Sequence, residues 1–553
     1  MNTGFETLDY VIFIAYAILI LFIGLWMSRD KKGHQKNAQD YFLASKSLPW
    51  WAIGTSLIAA NISAEQFIGM SGSGFAVGLA ISSYEWMAAI TLLIVGKYFL
   101  PIFIEKGIYT IPGFVEKRFS TNLKTILAVF WIGLYIFVNI TSVLYLGALA
   151  MNTVMGVDMT WAIVGLAMFA AAYSIYGGLS SIAWTDSIQV VFLIIGGLAT
   201  TYLALDTVSG GSGMWDGLGV IYDKAPQKFD MILEESNPEY VNLPGIGVLI
   251  GGLWVANLYY WGFNQYIIQR ALAAKNLREA QKGIVLAAFL KLLLPFIIVI
   301  PGIAAYVIVN DPEILARLGA DGIINIPSLE EADKSYPWLI QFLPSGLKGL
   351  AFVALSAAIV SSLASMLNST STIFTMDIYK QYINKNPSDR KTVNVGRITS
   401  FVALGIGVLV APALGSLNQI FQYIQEYTGL VSPGILAVFL LGLFWKKATN
   451  KAAIWGAIIS IPVAMFFKIG STGWVANTFL EAYFPVQPFL NQMGYTTLVT
   501  MLVIMLISWM QNKGEDDEKG IELKKDTFKT GPIFNISTFA VMIILAVLYS
   551  VFY

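Results

Sequence analysis

The sequence contains no cysteine, only one histidine and few charged residues. Without cysteine, disulfides, iron–sulfur clusters and thiol catalysis are excluded. The single histidine, His34, argues against a histidine-based zinc site. A net charge of zero gives no basis for nucleic-acid binding. No carboxylate pair or Ser/Lys pair stands at a spacing suited to catalysis. We therefore expect that the protein is not an enzyme and that it has no cofactor.

The sequence is instead rich in hydrophobic residues along its whole length. It is 56% hydrophobic and 12% charged over 553 residues, with a mean hydropathy of +0.67, which is too apolar for a soluble protein of this size. We predict an all-α integral membrane protein with about fourteen transmembrane helices. The expected spans are residues 8–28, 50–71, 79–104, 125–152, 158–177, 185–206, 244–269, 282–309, 346–376, 395–414, 418–445, 452–468, 491–511 and 532–552.

Basic residues in the short loops predict the orientation. They gather on one side at Arg29, Lys31, Lys32, Lys36, Lys46, Lys106, Lys117, Arg118, Lys124, Arg270, Lys275, Arg278, Lys282, Lys380, Lys385, Arg390, Lys391 and Arg397. The positive-inside rule makes this side cytoplasmic and leaves both termini outside. The long segments 207–243 and 310–345 then lie outside, whereas the charged segment 513–529 is expected to be a solvated cytoplasmic linker.

One predicted span is too polar in its middle to be a lipid-facing helix. In residues 58–74, Asn61, Ser63, Glu65 and Gln66 crowd together ahead of several glycines. A carboxylate at the bilayer centre costs about 2.5–3.5 kcal/mol on insertion scales. Irregular backbone at this depth survives only inside protein or beside a watery cavity. An interrupted apolar segment of this kind points to the binding site of a transporter.

Polar residues elsewhere in the spans fall at helical spacing, and therefore on shared faces. The residues concerned are Tyr84, Glu85 and Ala88 in the third span, Asn257, Tyr260 and Trp261 in the seventh, Lys291 in the eighth, and Phe421 and Gln425 in the eleventh, with Glu426 beside them. Amides, one carboxylate, one ammonium and aromatic faces suit a neutral polyhydroxylated ligand. An anionic ligand would call for an arginine fork, and these spans contain none.

Each of these features also has a structural interpretation that the sequence leaves open. Tyr260 and Trp261 are typical of interfacial anchors. Single Asn and Gln residues can hold helices together. Glu85 and Lys291 can pair with each other for purely structural reasons.

Two further patterns carry similar alternatives. Ser361 and Ser362, one turn beyond Ala358, indicate either close helix packing or hydroxyl ligands for a monovalent cation, completed by carbonyls freed where residues 59–62 stop being helical. Asp186 follows a Gly-Gly pair and either satisfies a helix N-terminus or marks a cation path to the cytoplasm.

Long blocks around these residues resemble one family over essentially the whole chain. The blocks are SLPWWAIGTSLIAANISAEQFIGMSGSG, SYEWMAAITLLIVGKYFLPIFIEKGIYTIPGFVEKRF, YGGLSSIAWTDSIQ, GGLWVANLYYWGFNQYIIQR, SSLASMLNSTSTIFTMDIYK and FQYIQEYTGLVSPGILAVFLLGLFWKK. They resemble the sodium:solute symporter family, and the QFIG, NLYYWGFNQYIIQR and FQYIQEYTGL blocks resemble its sugar branch, of sodium/galactose and sodium/glucose type.

The resemblance implies a single transmembrane domain of the leucine-transporter type. Residues 50–206 and 244–445 would form two inverted five-helix repeats, with extra helices at 8–28 and 452–552. The implied function is sodium-coupled uptake of a neutral hexose, galactose or glucose, across a bacterial inner membrane by alternating access. Sodium, the sugar and the lipid bilayer are the implied partners, with no obligate protein partner.

The resemblance also assigns roles to residues of this chain. Sugar contacts are implied for Asn61, Gln66, Glu85, Asn257, Lys291 and Gln425. An outer lid is implied for Met70, Tyr84 and Phe421, and an inner gate for Tyr260 backed by Trp261. Sodium ligands are implied for Ala59, Ile62, Ala358, Ser361 and Ser362, and a sodium exit route for Asp186. Glu65 receives no role.

Two departures from the family pattern affect these expectations. Ala88 stands where the galactose type has a serine that contacts the sugar, so the preferred hexose stays open. Ala358 stands where relatives with a second sodium have serine, so we expect one sodium per sugar. Symport of another polyol such as myo-inositol, and a sodium-sensing receptor or channel, remain the alternatives.

Overall fold

The protein is helical throughout the part of the chain described by the computed structural model. This part comprises residues 4–27, 37–318, 326–416, 419–472, 474–475, 477–479, 481–484, 486–524 and 526–553, without the side chains of 173–177. The first half contains α1 (Thr7–Met27), α2 (Ala38–Leu43), α3 (Trp50–Asn61), α4 (Ser71–Ala76), α5 (Ser83–Ile94), α6 (Leu100–Glu105), α7 (Ile111–Arg118), α8 (Thr121–Leu134), α9 (Thr141–Met155), α10 (Met159–Ser209) and α11 (Met214–Lys224). The second half contains α12 (Ile246–Ile250), α13 (Gly252–Phe263), α14 (Gln265–Leu272), α15 (Leu277–Asn310), α16 (Pro312–Ala316), α17 (Ser335–Gln341), α18 (Leu347–Ile373), α19 (Asp389–Val410), α20 (Ile420–Phe444), α21 (Asn450–Ile469), α22 (Phe489–Asn512) and α23 (Pro532–Val551).

The number of membrane spans is eleven by length and composition among the described residues. A twelfth is obtained when the helices Pro238–Ile250 and Gly252–Phe263, bent by 78°, are counted as one span. The other two predicted spans also fall on helix. One is divided into α3 and α4, and the other contains the short apolar helix Met159–Ala172. The expected total of fourteen therefore stays a prediction.

The predicted interruption lies between α3 and α4. Ile62 has an extended backbone, with ψ 104°. The Ser63 amide, which would close the next turn on the Ala59 carbonyl, donates instead to Gln66 Oε1 at 2.9 Å, and the Glu65 amide donates to Ser63 Oγ at 3.0 Å. Side chains that bond nearby backbone compete in this way with the helix. A π-helical segment, Glu65–Met70, then leads into α4.

A second interruption separates α13 from α14, and the sequence analysis did not find it. Asn264 is extended, with φ −84° and ψ 118°, between two helical segments. Its side-chain oxygen accepts a hydrogen bond from the Tyr135 hydroxyl. The same hydroxyl accepts a hydrogen bond from the Gln265 backbone amide at 2.9 Å. A polar pair inside an aromatic stretch, Asn264–Gln265, was the only local signal.

A sharp bend divides α10 at Gly178. Its φ of +69° and ψ of −168° lie where residues with side chains are strained. A Cβ at this position would also lie 2.5 Å from the Tyr41 carbonyl oxygen. Glycine therefore permits the turn and allows α2 to pack against it.

Burial separates the central helices from the peripheral ones. The apolar part of α18 is 94% buried inside the protein, whereas those of α1 and α23 are each 17% buried. α18 packs along α10 and also contacts α1, α19 and α3. The peripheral helices keep large apolar side chains exposed, as lipid contact requires.

The two ends of the bundle differ in their connections. On one end, which we call the loop face, segments 207–243 and 310–345 meet through the Lys224–Asp311 ion pair at 2.5 Å. On the other, which we call the basic face, α7 and the segment 513–529 meet through Arg118–Asp517 at 3.1 Å.

The structure of the basic face corrects several expectations drawn from the sequence. Arg270, Arg118 and Lys124 were counted as loop charges, yet their exposed fractions are 0%, 2% and 3%, because each is enclosed by neighbouring segments. The expectation of a solvated linker is also wrong around Asp517, whose amide donates to the Lys446 carbonyl at 3.1 Å. Residues 28–36, with four of the basic residues and His34, and Lys525 lie outside the described residues.

Candidate substrate and cation sites

A cavity lies beside the interruption between α3 and α4. Its walls come from the π-helical segment Glu65–Met70, α5, α13, α15 and α20. All eleven side chains expected to contact or enclose the substrate line it: Asn61, Gln66, Met70, Tyr84, Glu85, Asn257, Tyr260, Trp261, Lys291, Phe421 and Gln425. Ala88 lines it as well. Segments from both halves of the chain, including the end of α3 at Asn61, therefore converge on one polar space.

A buried ion pair stands in the wall of this cavity. Lys291 Nζ donates to Glu85 Oε2 and to Asn61 Oδ1, and the two charged side chains are 1% and 4% exposed. The ammonium also lies 5.0 Å from the centre of the Trp261 ring. The pair therefore balances its own charge while offering donors and acceptors to a neutral ligand.

Tyr260 lies in the cavity wall between Asn61 and Tyr266. Its hydroxyl accepts hydrogen bonds from Asn61 Nδ2 at 3.0 Å and from the Tyr266 hydroxyl at 2.7 Å. Trp261 packs edge-on to it at 5.2 Å. Because Trp261 is only 2% exposed, it lies inside the protein and is not an anchor at the lipid interface.

Toward the loop face, three apolar or aromatic side chains cover the cavity. Tyr84 and Phe421 meet edge to face with their ring centres 5.3 Å apart. Met70, Phe421 and Tyr84 are 1%, 1% and 7% exposed. All three line the cavity.

The three remaining predicted polar residues differ in their engagement. Gln66 uses its Oε1 to hold the Ser63 amide and hydroxyl. Asn257 donates to the Leu253 carbonyl at 3.2 Å, one turn back on α13. Gln425 is half-buried on the cavity wall. Gln66 therefore links the cavity directly to the interrupted backbone.

The expected cation ligands lie where α18 passes the interruption. The Ser362 hydroxyl is 3.2 Å from the Ala60 carbonyl oxygen and 3.4 Å from that of Ile62. Ala358 lies one turn earlier on α18, and Ala59 precedes the interruption; both are 1% exposed. The region thus gathers a hydroxyl and backbone carbonyl oxygens, which are the ligands that a hard monovalent cation takes.

Ser361 faces a different group from Ser362. Its hydroxyl donates to Asp186 Oδ1 at 2.5 Å, and the other Asp186 oxygen accepts from the Ser56 hydroxyl at 2.5 Å and from Arg270 Nη2 at 3.2 Å. Asp186 therefore does not cap a helix N-terminus. It is the centre of a buried polar network.

Arg270 is the member of this network that the sequence analysis missed. Its guanidinium also donates to the Ser56 carbonyl at 3.0 Å, the Ser56 hydroxyl at 2.7 Å, the Tyr266 carbonyl and the Ser365 hydroxyl. The hydrogen bond from Tyr266 to Tyr260 joins this network to the substrate cavity.

Further polar residues line the cavity without having been predicted. They are Glu65, Asn139, Asn264, Thr428 and Ser432. For Glu65 the sequence gave a signal, because it stands inside the polar interruption. For the others the sequence gave no clear signal, because their exposure to the cavity depends on packing.

Comparison with known proteins now bears on this arrangement. A model of the sodium:solute symporter family matches residues 41–460. The chain belongs to this family. It is 63% identical over 551 residues to the sodium/glucose cotransporter of Vibrio parahaemolyticus, covering 100% of this chain and 99% of that protein. It is 34% identical over 473 residues to the human sodium/myo-inositol cotransporter 2, covering 82% and 69%.

Solved structures agree on the fold. A sodium-coupled sialic acid symporter in a substrate-bound outward-open state superposes with a TM-score of 0.76 at 22% identity, covering 92% of this chain and 98% of that one. A nucleobase-cation-symport-1 family transporter superposes with a TM-score of 0.51 at 15% identity, covering 89% and 99%. The chain is thus a multi-pass membrane symporter with sodium as its co-transported ion, and not an enzyme.

Proposed function

We propose that this protein couples sodium entry to the uptake of a neutral hexose, galactose or glucose, by alternating access. The observation that carries the proposal is the Lys291–Glu85–Asn61 group in a cavity beside the interrupted helix. Ammonium, carboxylate and amide groups supply both donors and acceptors, which hydroxyls require. The 63% identical relative is named a sodium/glucose cotransporter.

In this proposal the cavity residues divide into contacts and gates. Asn61, Gln66, Glu85, Asn257, Lys291 and Gln425 contact the sugar hydroxyls. Tyr260, backed by Trp261, stacks on the ring as the inner gate, and Met70, Tyr84 and Phe421 form the outer lid. The edge-to-face contact of Tyr84 with Phe421 and the hydrogen bond from Asn61 to Tyr260 support an occluded arrangement.

Sodium is proposed to bind between the interruption and α18. Its ligands would be the carbonyls of Ala59, Ile62 and Ala358 and the hydroxyls of Ser361 and Ser362. The approach of the Ser362 hydroxyl to the Ile62 carbonyl supports this position. Asp186 would receive the ion on its way to the cytoplasm, since it already bonds Ser361.

Coupling follows from the backbone that both ligands share. Asn61 faces the sugar cavity and immediately precedes Ile62, whose carbonyl faces Ser362. Sodium binding would hold the backbone of the interruption in one conformation. It would thereby also position the Gln66 side chain, whose Oε1 accepts a hydrogen bond from the Ser63 amide. A ligand shifts a conformational equilibrium only by its difference in affinity for the two states. Here that difference arises because the sodium ligands and the sugar ligands belong to one short segment.

At the level of the fold we propose fourteen spans in a bacterial inner membrane, with the loop face and both termini outside. Residues 50–206 and 244–445 would be inverted repeats of the leucine-transporter type. The two interruptions, at Ile62 and Asn264, support this because each falls in the first helix of its proposed repeat.

Uptake into proteoliposomes tests the function. Labelled galactose and glucose should accumulate under an inward sodium gradient, and myo-inositol measures the polyol alternative suggested by the 34% identical relative. Gln66→Ala and Ser362→Ala should each abolish accumulation. Ser371→Ala, which removes a buried hydroxyl of α18 that bonds only the Asn368 carbonyl in the described structure, should retain it. Sodium leak without sugar accumulation would favour the channel alternative, and full activity in Gln66→Ala and Ser362→Ala would refute the site.

The stoichiometry is a separate prediction. Ala358 offers no hydroxyl, so we expect one sodium per sugar. A membrane potential of 100 mV then supplies about 2.3 kcal/mol, enough for roughly 50-fold accumulation. The sugar gradient at which net flux vanishes at a fixed potential measures this directly. An accumulation ratio at zero net flux near the square of this roughly 50-fold value would mean that two sodium ions are transported with each sugar.

A further inference from the structure

Glu65 is a buried carboxylate in the cavity wall that the roles above leave unused. It is 6% exposed, and its Oε1 has no hydrogen-bond partner among the described residues. It begins the π-helical segment that follows the interruption, and it lines the same cavity as Glu85.

The surroundings of Glu65 differ from those of the other two carboxylates near the ligand sites. Glu85 is paired with Lys291, and Asp186 is paired with Arg270. No ion pair includes Glu65 in the described part of the chain. Burying a carboxylate without a cation or a full set of donors is costly. The free oxygen of Glu65 is therefore an acceptor that the described part of the protein does not satisfy.

A polar side chain on a second cavity-lining segment neighbours this carboxyl group. The Asn139 side chain interacts with it, and Asn139 is itself 8% exposed and lines the cavity. Asn139 belongs to a second π-helical segment, Tyr135–Ile140. Such segments are frequent at functional sites because they displace side chains from the regular helical positions. Here one of them carries the acceptor and the other carries the polar side chain that neighbours it.

We propose that Glu65 accepts a hydrogen bond from a hydroxyl of the transported sugar and thereby forms a second carboxylate subsite, with Asn139 as its positioning residue. This rests on the proposed function. Glu85 is already engaged by Lys291, so the two carboxylates are not equivalent. Glu65 is the one whose acceptor is satisfied only when a ligand donor arrives. The subsite selects polyhydroxylated rings that present a hydroxyl to it in addition to those read by Glu85 and Lys291.

The test measures equilibrium binding of galactose, glucose and each of their monodeoxy analogues to the purified protein in sodium. The unsubstituted protein should bind one deoxy analogue about tenfold to a hundredfold more weakly than its parent sugar, as expected for a hydrogen bond to a charged group. Glu65→Gln, whose amide oxygen is a weaker acceptor than a carboxylate oxygen, should bind the parent more weakly and discriminate less against that one analogue. Its discrimination at the other ring positions should stay unchanged.

Two further variants keep the inference open to refutation. Asn139→Ala should reduce discrimination at the same hydroxyl, and it provides the answer if Glu65→Gln does not fold. Glu426→Gln is the matched control, because that carboxylate is paired with Lys468 at 2.8 Å and does not line the cavity.

The inference would be overturned if Glu65→Gln and Asn139→Ala discriminated against every deoxy analogue to the same extent as the unsubstituted protein does. It would also be overturned by a Glu65→Gln protein that differs only in the pH dependence of transport, since Glu65 would then bind a proton and not the sugar. Failure of the unsubstituted protein to bind either parent hexose would instead refute the proposed function itself.

Discussion

At the residue scale, the most consequential contact is the buried pair of Asp186 and Arg270. Both side chains are at most 1% exposed. Removing two charges from water costs several kcal/mol per ion, and this is recovered only when geometry and additional hydrogen bonds are good. Ser56, Ser361 and Ser365 supply those hydrogen bonds. The pair therefore fixes α10, α14 and α18 relative to one another.

Neutralising one member of this pair should destabilise the protein strongly. Asp186→Asn leaves Arg270 buried without an anion, a change that typically costs about 3–5 kcal/mol. Thermal unfolding in detergent should show a large loss for the single variant. The double variant Asp186→Asn/Arg270→Gln should recover part of it, because no uncompensated charge remains. Additive losses in the double variant would show that the two groups are not coupled.

At the element scale, segments of the loop face supply hydrogen bonds to the ends of helices that are distant in sequence. α20 has no side-chain cap of its own, and Asp333 from segment 310–345 accepts the Ile420 amide at 3.0 Å. Phe421, which covers the cavity, is the next residue. Lys228 likewise donates to the Ala76 carbonyl at the end of α4. Movement of these segments is therefore tied to movement of the outer cover.

The Asp333 contact predicts a pH dependence. Burial raises the pKa of Asp333 to about 7 from its ordinary value of 3.8. The folded state then binds the proton more tightly than the unfolded state, so stability should fall as pH rises from about 4 to 7, by at most roughly 4 kcal/mol. Asp333→Asn keeps an acceptor for Ile420 and should lose this dependence.

Thermal unfolding midpoints between pH 4 and pH 8 measure the effect. Glu330→Gln, which changes an exposed carboxylate of the same segment, is the control and should follow the unsubstituted protein. If Asp333→Asn also follows it, the carboxyl group of Asp333 does not titrate in this range.

At the scale of the whole molecule, two polar ends flank an apolar bundle that contains the candidate ligand sites. The basic face carries the docked segment around Asp517, and the loop face carries segments 207–243 and 310–345. Central helices such as α18 are almost fully buried, whereas α1 and α23 meet lipid. The proposed orientation decides which end faces the sodium supply.

Because the chain has no cysteine, single substitutions can test this orientation without background. Ser212→Cys lies exposed on the loop face, and Asn386→Cys lies exposed on the basic face. In intact cells, a membrane-impermeant maleimide should label the first and spare the second, and cell lysis should make both reactive. The reverse pattern would invert the proposed topology.

The sequence by itself determined the membrane class, the helical nature of the spans and the interruption within residues 58–74. Composition and helical spacing are sufficient for these features, because lipid excludes unpaired polar groups along the whole length of a span. The family resemblance supplied the roles of individual residues.

Only the tertiary structure decided which charges are buried and which residues they meet. Arg270 looks like a loop cation in sequence, yet it pairs with Asp186, 84 positions away. Ser361 and Ser362 are neighbours that bond to different groups. The interruption at Asn264 depends on the hydroxyl of Tyr135. Burial is set by segments that arrive from elsewhere in the chain, and local spacing does not contain that information.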